Sequence, residues 1–275
     1  MKNIDLKTVE SFSEEWLRYD QSGMEEKEST KLFKDYFSIF PWNKLPKLAK
    51  GFDMGCGSGR WAKFVAPKVE HLHCIDPSLA IKVAKKKLKS FKNITYHQKS
   101  LDNVDLKLGS QDFGYSLGVL HHVPDTGAAI KSCSKLLKPG APLLIYIYYN
   151  FDNRPLWFKY LWTLSNFLRL IIYRLPKFLK FLICDIIAIF IYFPLAKFAL
   201  MLEKIGFDFK NFPLYAYRYC SFYVMRTDSR DRFGTPLEKR FTKKEIYKMM
   251  EESGLENIKF RKKPPFWTAI GFKKK

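Results

Sequence analysis

GFDMGCGSGRWA, from Gly51 to Ala62, is the stretch whose reading decides the fold. Phe52 and Met54 are apolar positions of a short strand, with the acid Asp53 at its end. Gly55, Gly57 and Gly59 follow, and Arg60, Trp61 and Ala62 open a helical pattern. A strand that turns sharply into a helix visits backbone angles closed to residues with a Cβ. The same lack of side chains lets a ligand lie against the backbone amides at the helix N-terminus. The stretch therefore predicts a nucleotide seat.

Spacing narrows which nucleotide. The pattern is G-x-G-x-G, and Arg60 stands where a dinucleotide fingerprint places its third glycine. No Lys-Ser or Lys-Thr pair follows, so a P-loop is disfavoured. HLHCID, His71 to Asp76, reads as the next strand and ends in an acid. That acid falls about twenty residues beyond the loop, where a carboxylate meets both ribose hydroxyls.

Asp53 with GCGSG, then Asp76 in CIDPS, resembles the cofactor site of class I S-adenosylmethionine-dependent methyltransferases. SLGVLHHVPD (Ser116 to Asp125) and LLKPGAPLLIYIYY (Leu136 to Tyr149) are similar to two passages of the type 11 methyltransferase group, the fourth strand with its loop and the run into the fifth strand. The resemblance covers Gly51 to Tyr149. It implies S-adenosylmethionine as cofactor, held at Asp53, Met54, Gly55, Cys56, Gly57, Ser58, Gly59 and Trp61. It further implies contacts from Asp76, Pro77 and Ser78 after strand two, Ser100 and Leu101 after strand three, and Leu117 and Gly118 after strand four. The family often has an acid after strand three, near the adenine; this chain has Ser100 there.

Short apolar strands alternate with helical patterns: Gly51–Met54, Arg60–Pro67, Glu70–Ile75, Leu79–Ser90, Ile94–His97, Asp112–Leu117, Ala128–Leu137 and Leu143–Tyr148. Such alternation marks a parallel sheet covered on both faces. A helix over Lys243–Ser253, with Thr242 as N-cap and Gly254 as stop, precedes two strand-like runs around Pro264-Pro265. The expected fold is α/β: a Rossmann-like seven-stranded sheet, mostly parallel with an antiparallel C-terminal hairpin, helices on both faces and an apolar helical insertion. Residues 1–50 read as a helical lead-in, 51–150 as the cofactor-binding core, 151–220 as the insertion, and 221–275 as the closing helix and strands.

The insertion is the unusual part. LWFKYLWTLSNFLRLIIYR is apolar almost all round, and after Pro176 FLKFLICDIIAIFIYF continues to a break expected at Pro194. Asp185, Lys180 and Lys197 stand against a simple span near Phe178–Leu202. Strands on either side should share one sheet, so a single crossing is excluded. A buried lid, an interfacial helix pair and a two-pass hairpin remain.

The chain has 275 residues, net charge +21 and five scattered cysteines without C-x-x-C spacing. Length suits one α/β domain with an elaboration. The cysteine pattern excludes a disulfide framework or zinc site and points to a reducing, cytoplasmic setting. The N-terminus shows no signal-peptide pattern. The basic excess attracts polyanions, so an anionic membrane surface is one expected partner. KKKLK, Lys85 to Lys89, reads as a solvated helix face.

A sulfonium cofactor leaves the protein to align the acceptor, exclude water and remove a proton. His121 and His122, after strand four, are the candidate bases, since histidine titrates near neutrality. Asp125 stands where it could orient His122. Tyr148 and Tyr149 leave strand five beside the expected acceptor pocket, and Trp16 and Tyr19 come from the lead-in. Arg226 to Thr242 reads as a charged loop whose Arg230 and Arg232 could clamp an anionic acceptor. The expected reaction is methyl transfer, O-methylation favoured, to a small or amphiphilic acceptor: a sugar, lipid-linked or quinone-like compound. Two alternatives stand beside it. RNA or other nucleic-acid methylation is disfavoured, since LHHVPD replaces the Asn/Asp-Pro-Pro-aromatic motif. A non-catalytic cofactor-binding module is the other.

Overall fold

In the computed structural model, which describes residues 3–207 and 211–275, seven strands lie in the order β3-β2-β1-β4-β5-β7-β6. They are β1 (Lys50–Met54), β2 (His71–Ile75), β3 (Ile94–His97), β4 (Phe113–Leu117), β5 (Pro142–Tyr146), β6 (Leu255–Phe260) and β7 (Thr268–Lys273). The first five run parallel, and β7 is antiparallel to both β5 and β6. This is the expected sheet with its reversed C-terminal pair. Its order switches at β1, between β2 and β4, and ligands of open α/β sheets bind beyond the strand ends at that switch.

Ten helices accompany it among the described residues: α1 (Leu6–Arg18), α2 (Glu26–Tyr36), α3 (Ala62–Val65), α4 (Ala80–Lys87), α5 (Thr126–Leu136), α6 (Leu156–Ile172), α7 (Lys177–Ile187), α8 (Phe193–Lys204), α9 (Phe222–Gly234) and α10 (Lys243–Glu252). Leu72, Cys74, Tyr115 and Leu144 form one apolar face of the sheet with Val65 of α3 and Ala84 of α4. Phe52, Met54, Ile75 and Ile145 form the other with Ile130 of α5 and Ile246 of α10. Burial on both faces explains why the central strands read as continuous apolar runs. Thr242 and Glu245 cap α10 reciprocally, which satisfies amides the first turn would otherwise leave open.

The chain divides into two compact units. One comprises Met1–Gln21, Thr30–Asn150 and Leu237–Lys275; the other comprises Ser22–Ser29 and Phe151–Pro236. The insertion thus runs to Pro236, beyond the boundary at 220 drawn from composition. The reason is α9. The segment expected to be a charged loop is helical from Phe222 to Gly234, started by Ser221, whose hydroxyl accepts from the Val224 amide at 3.3 Å. Its charges lie on several sides, so no apolar stripe announces the helix. α6 and α7 nevertheless pack on it, and buried residues occur around it: Val224, Met225, Thr227, Ser229, Arg230 and Phe233.

Pro194 does not end the apolar helix. α7 passes through one wide π turn, Ala188–Tyr192, directly into α8. Proline is tolerated in a first helical turn, where no intrahelical donor is missed, and the wide turn resets the hydrogen-bond register. The resulting Lys177–Lys204 rod is long and apolar enough to cross a membrane by length and composition. Its inner side joins Cys184, Ile187, Tyr192 and Ala196 to Ile172, Met225 and Phe233.

Much of the apolar surface in this unit stays uncovered. Leu161, Leu164 and Leu168 of α6 are exposed, as are Phe178, Leu182 and Phe190 along the rod. Covering each such side chain would stabilise by roughly 1.5–3 kcal/mol.

Gly234 ends α9 under the guanidinium of Arg230; a Cβ there would lie 1.2 Å from Nη1. Glycine-to-alanine changes in helices ordinarily stabilise by about 1 kcal/mol. Gly234→Ala should do the reverse, lowering stability by about 1–3 kcal/mol through overpacking. Chemical denaturation of the two proteins measures the sign.

Candidate cofactor and methyl-acceptor site

The turn after β1 is built as its glycines require. Gly55 and Gly59 take φ of +78° and Gly57 of +52°, the left-handed region. Contact adds a second reason: a Cβ on Gly55 would lie 2.4 Å from Val119, and one on Gly59 2.7 Å from Leu88. The Gly55 and Cys56 amides donate to the Ile75 carbonyl at 2.7 and 3.1 Å, which holds the turn against the end of β2.

Asp76 completes that junction. Its Oδ2 accepts from the Gly57 amide at 2.9 Å, and its Oδ1 accepts from the amide and hydroxyl of Ser78 at 2.8 and 2.5 Å. Burial pushes the Asp76 carboxyl above its ordinary value, against the hydrogen bonds from Ser78 and Gly57. Asp53 is wholly buried, and neither its oxygens nor the Ser58 hydroxyl has a hydrogen-bond partner among the described residues. Burial pushes Asp53 up to about 8; the adjacent Tyr115 hydroxyl pulls it down and the charge of Asp76 pushes it up. A buried acid with only the Tyr115 hydroxyl beside it is costly to ionise, and a cationic ligand bearing N–H groups relieves it. The donor set therefore fits the amino-acid end of S-adenosylmethionine.

Pro77 and Ser100 line an open cavity of about 720 Å³ with Gln98, Asp102 and Val104. Asp102, an acid two residues beyond Ser100 in SLDN, lines the same cavity. Asn3 reaches this rim, its amide donating to Asp102 Oδ2 at 2.6 Å, while its side chain exchanges two hydrogen bonds with the Asp125 backbone. Gly118 has φ of +79°, and a Cβ there would meet nothing within 4 Å.

Other expected cofactor residues are placed differently. The side chains of Met54 and Leu101 pack into the α5 face of the core, and Leu117 and Trp61 into the α4 face. Met54 contributes its carbonyl, which accepts from the Ser116 hydroxyl at 2.8 Å. The Cys56 thiol is buried and pushed up by burial and by Cys74 beside it, so it stays protonated.

Trp16, expected on the acceptor side, instead lies at the cofactor turn, its indole nitrogen 3.5 Å from where a Cβ of Gly57 would sit. α1 brings it there by packing on α4, with the Ser13 hydroxyl accepting from the Leu79 amide at 3.0 Å. Tyr19 is buried at the end of the same helix. Arg230 and Arg232 stand on no open loop: Arg230 is fully buried over the Phe181 ring, and Arg232 lies over Trp162 with a 3.2 Å bond to Ser165. Helix packing has taken up both guanidiniums, so a loop clamp is not what they form.

Beyond β4 and β5 a second group assembles. The His121 and Tyr148 rings lie 3.8 Å apart between centroids, and the His121 and His122 rings 4.0 Å apart. His121 is fully buried with both ring nitrogens lacking hydrogen-bond partners among the described residues. Burial, then the charges of His122 and Arg240, hold it well below the ordinary histidine range. His122 differs: its Nδ1–H donates to the Leu237 carbonyl at 2.6 Å, which makes Nε2 the acceptor nitrogen. Asp125, expected to orient this ring, instead caps α5 by accepting from the Ala128 amide at 2.9 Å.

The segment Leu237–Phe241 supplies what sequence reasoning did not assign. It runs beside Tyr148–Asn150, held by backbone bonds from Phe241 to Tyr148 and from Asn150 to Phe241, each 2.9 Å. Arg240 lies over the Tyr148 ring and pairs with Glu238 at 2.9 Å. Phe12 of α1 packs edge-on against His122. Tyr149 turns toward Phe266. The only available signal was the charge density of EKR, which suits a solvated loop equally well.

With this geometry in place, comparison with known proteins bears on its identity. Residues 52–145 match the family described as a methyltransferase domain. A ubiquinone biosynthesis O-methyltransferase of Xanthomonas axonopodis pv. citri (strain 306) is 35% identical over 104 residues, 36% of this chain and 43% of that protein. The enzyme of the same name from Xanthomonas oryzae pv. oryzae (strain PXO99A) is 35% identical over 101 residues, 35% of this chain and 42% of that protein. The chain thus matches less than half the length of these curated relatives. A candidate O-methyltransferase structure from Nostoc punctiforme PCC 73102 covers 94% of this chain and 60% of its own, at 12% identity and a TM-score of 0.51, and shows the shared fold. Residues 52–145 thus form a methyltransferase domain, consistent with the class I, type 11 group, and S-adenosylmethionine is the cofactor of such domains.

Two substitutions test the cofactor residues. Asp76→Ala should weaken S-adenosylmethionine by about 1.5–3 kcal/mol, the loss expected for charged hydrogen bonds, read by calorimetry. For Asp53 the folded value of about 8 exceeds the ordinary 3.8, so its contribution favours the fold at acid pH and is lost as pH rises toward 8. Asp53→Asn should therefore raise the melting temperature of the cofactor-free protein at pH 8 far more than at pH 4. It should also weaken the cofactor; melting curves and calorimetry check both.

Proposed function

We propose that this chain transfers the methyl group of S-adenosylmethionine to a hydroxyl of a small or amphiphilic, quinone-like acceptor, with His122 as general base. The observation that carries this reading is the bond from His122 Nδ1 to the Leu237 carbonyl. It leaves Nε2, a buried atom beside Tyr148 near the carboxyl ends of the strands, as the nitrogen able to accept a proton.

When bound, S-adenosylmethionine supplies an activated methyl on a sulfonium. The chain's tasks are to align the acceptor oxygen, keep water out and take the hydroxyl proton at His122 Nε2. His121 is too strongly depressed to hold that proton; its neutral ring instead extends an aromatic wall with Tyr148 and Tyr146. A flat, partly apolar acceptor suits such a wall better than a sugar does. Arg240 places a positive charge near Tyr148, where an acceptor oxygen becoming anionic would be stabilised.

The relatives named for ubiquinone biosynthesis support the acceptor class. The second unit, with its exposed apolar helices, serves on this reading to hold the protein at the cytoplasmic face of an anionic membrane, where such acceptors partition.

The test is a methyl-transfer assay with catechol-type quinone precursors carrying short and long alkyl tails. Methylation is expected, and His122→Ala should lower kcat by about 10²–10⁴-fold with cofactor affinity unchanged. His121→Phe should retain most of the activity. Methylation of RNA in place of these compounds, or equal losses from both histidine variants, would overturn the assignment.

A further inference from the structure

The second unit keeps its apolar and charged groups on different sides. Trp157, Leu161, Leu164, Leu168 and Ile171 recur along α6 at steps of three and four, all exposed. That spacing is one continuous face of a helix. Phe178, Leu182, Ile186, Phe190 and Phe193 make a second exposed stripe along the α7–α8 rod.

Asp185 and the arginines that join the helices to α9 lie inward. Asp185 of the rod pairs with Arg226 of α9 through two bonds of 2.5 and 2.6 Å, and Ser229 donates to the Cys184 carbonyl at 2.9 Å. Arg169 of α6 donates to the carbonyls of Thr235 and Pro236, at the end of α9, both at 2.9 Å. Both apolar helices are therefore bolted to α9, whose sequence carries Arg226, Asp228, Arg230, Asp231 and Arg232.

This attachment bears on orientation. Asp185 lies eight residues into the rod, about 12 Å at the helical rise. In a rod crossing a bilayer that depth is close to the middle of the hydrocarbon, and α9 with its charges would be drawn in beside it. Intramembrane charges are tolerated only at a heavy cost. Lying flat, the rod presents its exposed stripe to the acyl chains and keeps α9 on the aqueous side.

Charge specifies the lipid. Between residues 156 and 207 there are seven Lys or Arg and two acids, Asp185 and Glu203. Each acid is already bridged to an arginine, Arg226 or Arg218. Arg174, Lys177, Lys197 and Lys204 are exposed. A basic margin of this kind around an apolar face complements anionic headgroups.

We propose that α6 and the α7–α8 rod lie in the plane of an anionic bilayer, embedded by their exposed stripes to the headgroup–acyl boundary and not crossing it. This rests on the membrane-surface reading given above and specifies its geometry.

Flotation of the full chain with sealed vesicles tests it. The protein should float with phosphatidylcholine vesicles containing phosphatidylglycerol and stay behind with phosphatidylcholine alone. The double variant Leu164→Gln/Phe190→Gln, altered only at outward positions, should lose flotation at least about tenfold while keeping wild-type affinity for S-adenosylmethionine. Orientation is read from Arg174→Cys, in the turn between α6 and α7, in a Cys220→Ser background. A membrane-impermeant maleimide added outside the vesicles should label the introduced thiol. Flotation with that thiol protected from the reagent would overturn the in-plane geometry in favour of a hairpin, with the membrane reading intact. No flotation, or a lipid-free dimer by light scattering that ignores vesicles, would overturn both; methyl transfer to soluble acceptors is scored separately.

Discussion

The hydrogen bond from the Gly57 amide to Asp76 joins the two features on which the rest of the molecule depends. One is a turn that only glycines can make at those angles, and the other is an acid at the end of the neighbouring strand. Parallel pairing of β1 with β2 brings them together, with Asp53 opposite Cys74 and Met54 opposite Ile75. Because the Asp76 carboxylate is held by backbone and by Ser78, it is oriented before any ligand arrives. Preorganisation of this kind lowers the ordering cost of binding. Asp53 is the counterpart: its burial, offset only in part by the adjacent Tyr115 hydroxyl, disfavours the charged form in the empty fold, and a cationic cofactor would relieve that cost. Stability given up at one residue becomes affinity at the same place.

The acceptor end is organised by different means. No single motif builds it; α1, the loop after β4, the extension of β5 and the segment before α10 each contribute one part. The two adjacent histidines acquire opposite characters from their surroundings. His121 is enclosed by rings and kept neutral by burial, whereas a backbone carbonyl 115 residues away in sequence sets the tautomer of His122. Two identical side chains thus meet different electrostatic surroundings through burial and one hydrogen bond.

The sheet was legible from the start because its strands are buried on both faces and its turns carry glycine, features that local composition records directly. The residues that shape the turn after β1 were legible for the same reason at Gly55, Gly57, Gly59 and Asp76, where the backbone itself makes the demand. They were less legible at Met54 and Leu101, since an apolar residue beside a site and one inside the core look alike. α9 escaped because its arginines are taken up by neighbouring helices, Arg226 by Asp185, Arg230 by the Phe181 ring and Arg232 by Trp162 and Ser165, so no apolar stripe marks its packed sides. Pro194 misled for a related reason: a π turn absorbs a break that helix propensity alone would enforce.

The sequence by itself determined the topology class, the glycine turn after β1 and the acid at the end of β2, because each follows from backbone geometry or from patterns within a few residues. It also determined that a long apolar insertion interrupts the core. Only the tertiary structure decided which histidine presents an acceptor nitrogen, that Asp125 is a cap, that Trp16 belongs to the cofactor turn, and that Arg230 and Arg232 are interior groups. Those outcomes depend on contacts between residues far apart in the chain, which burial and hydrogen-bond geometry settle and local pattern does not record.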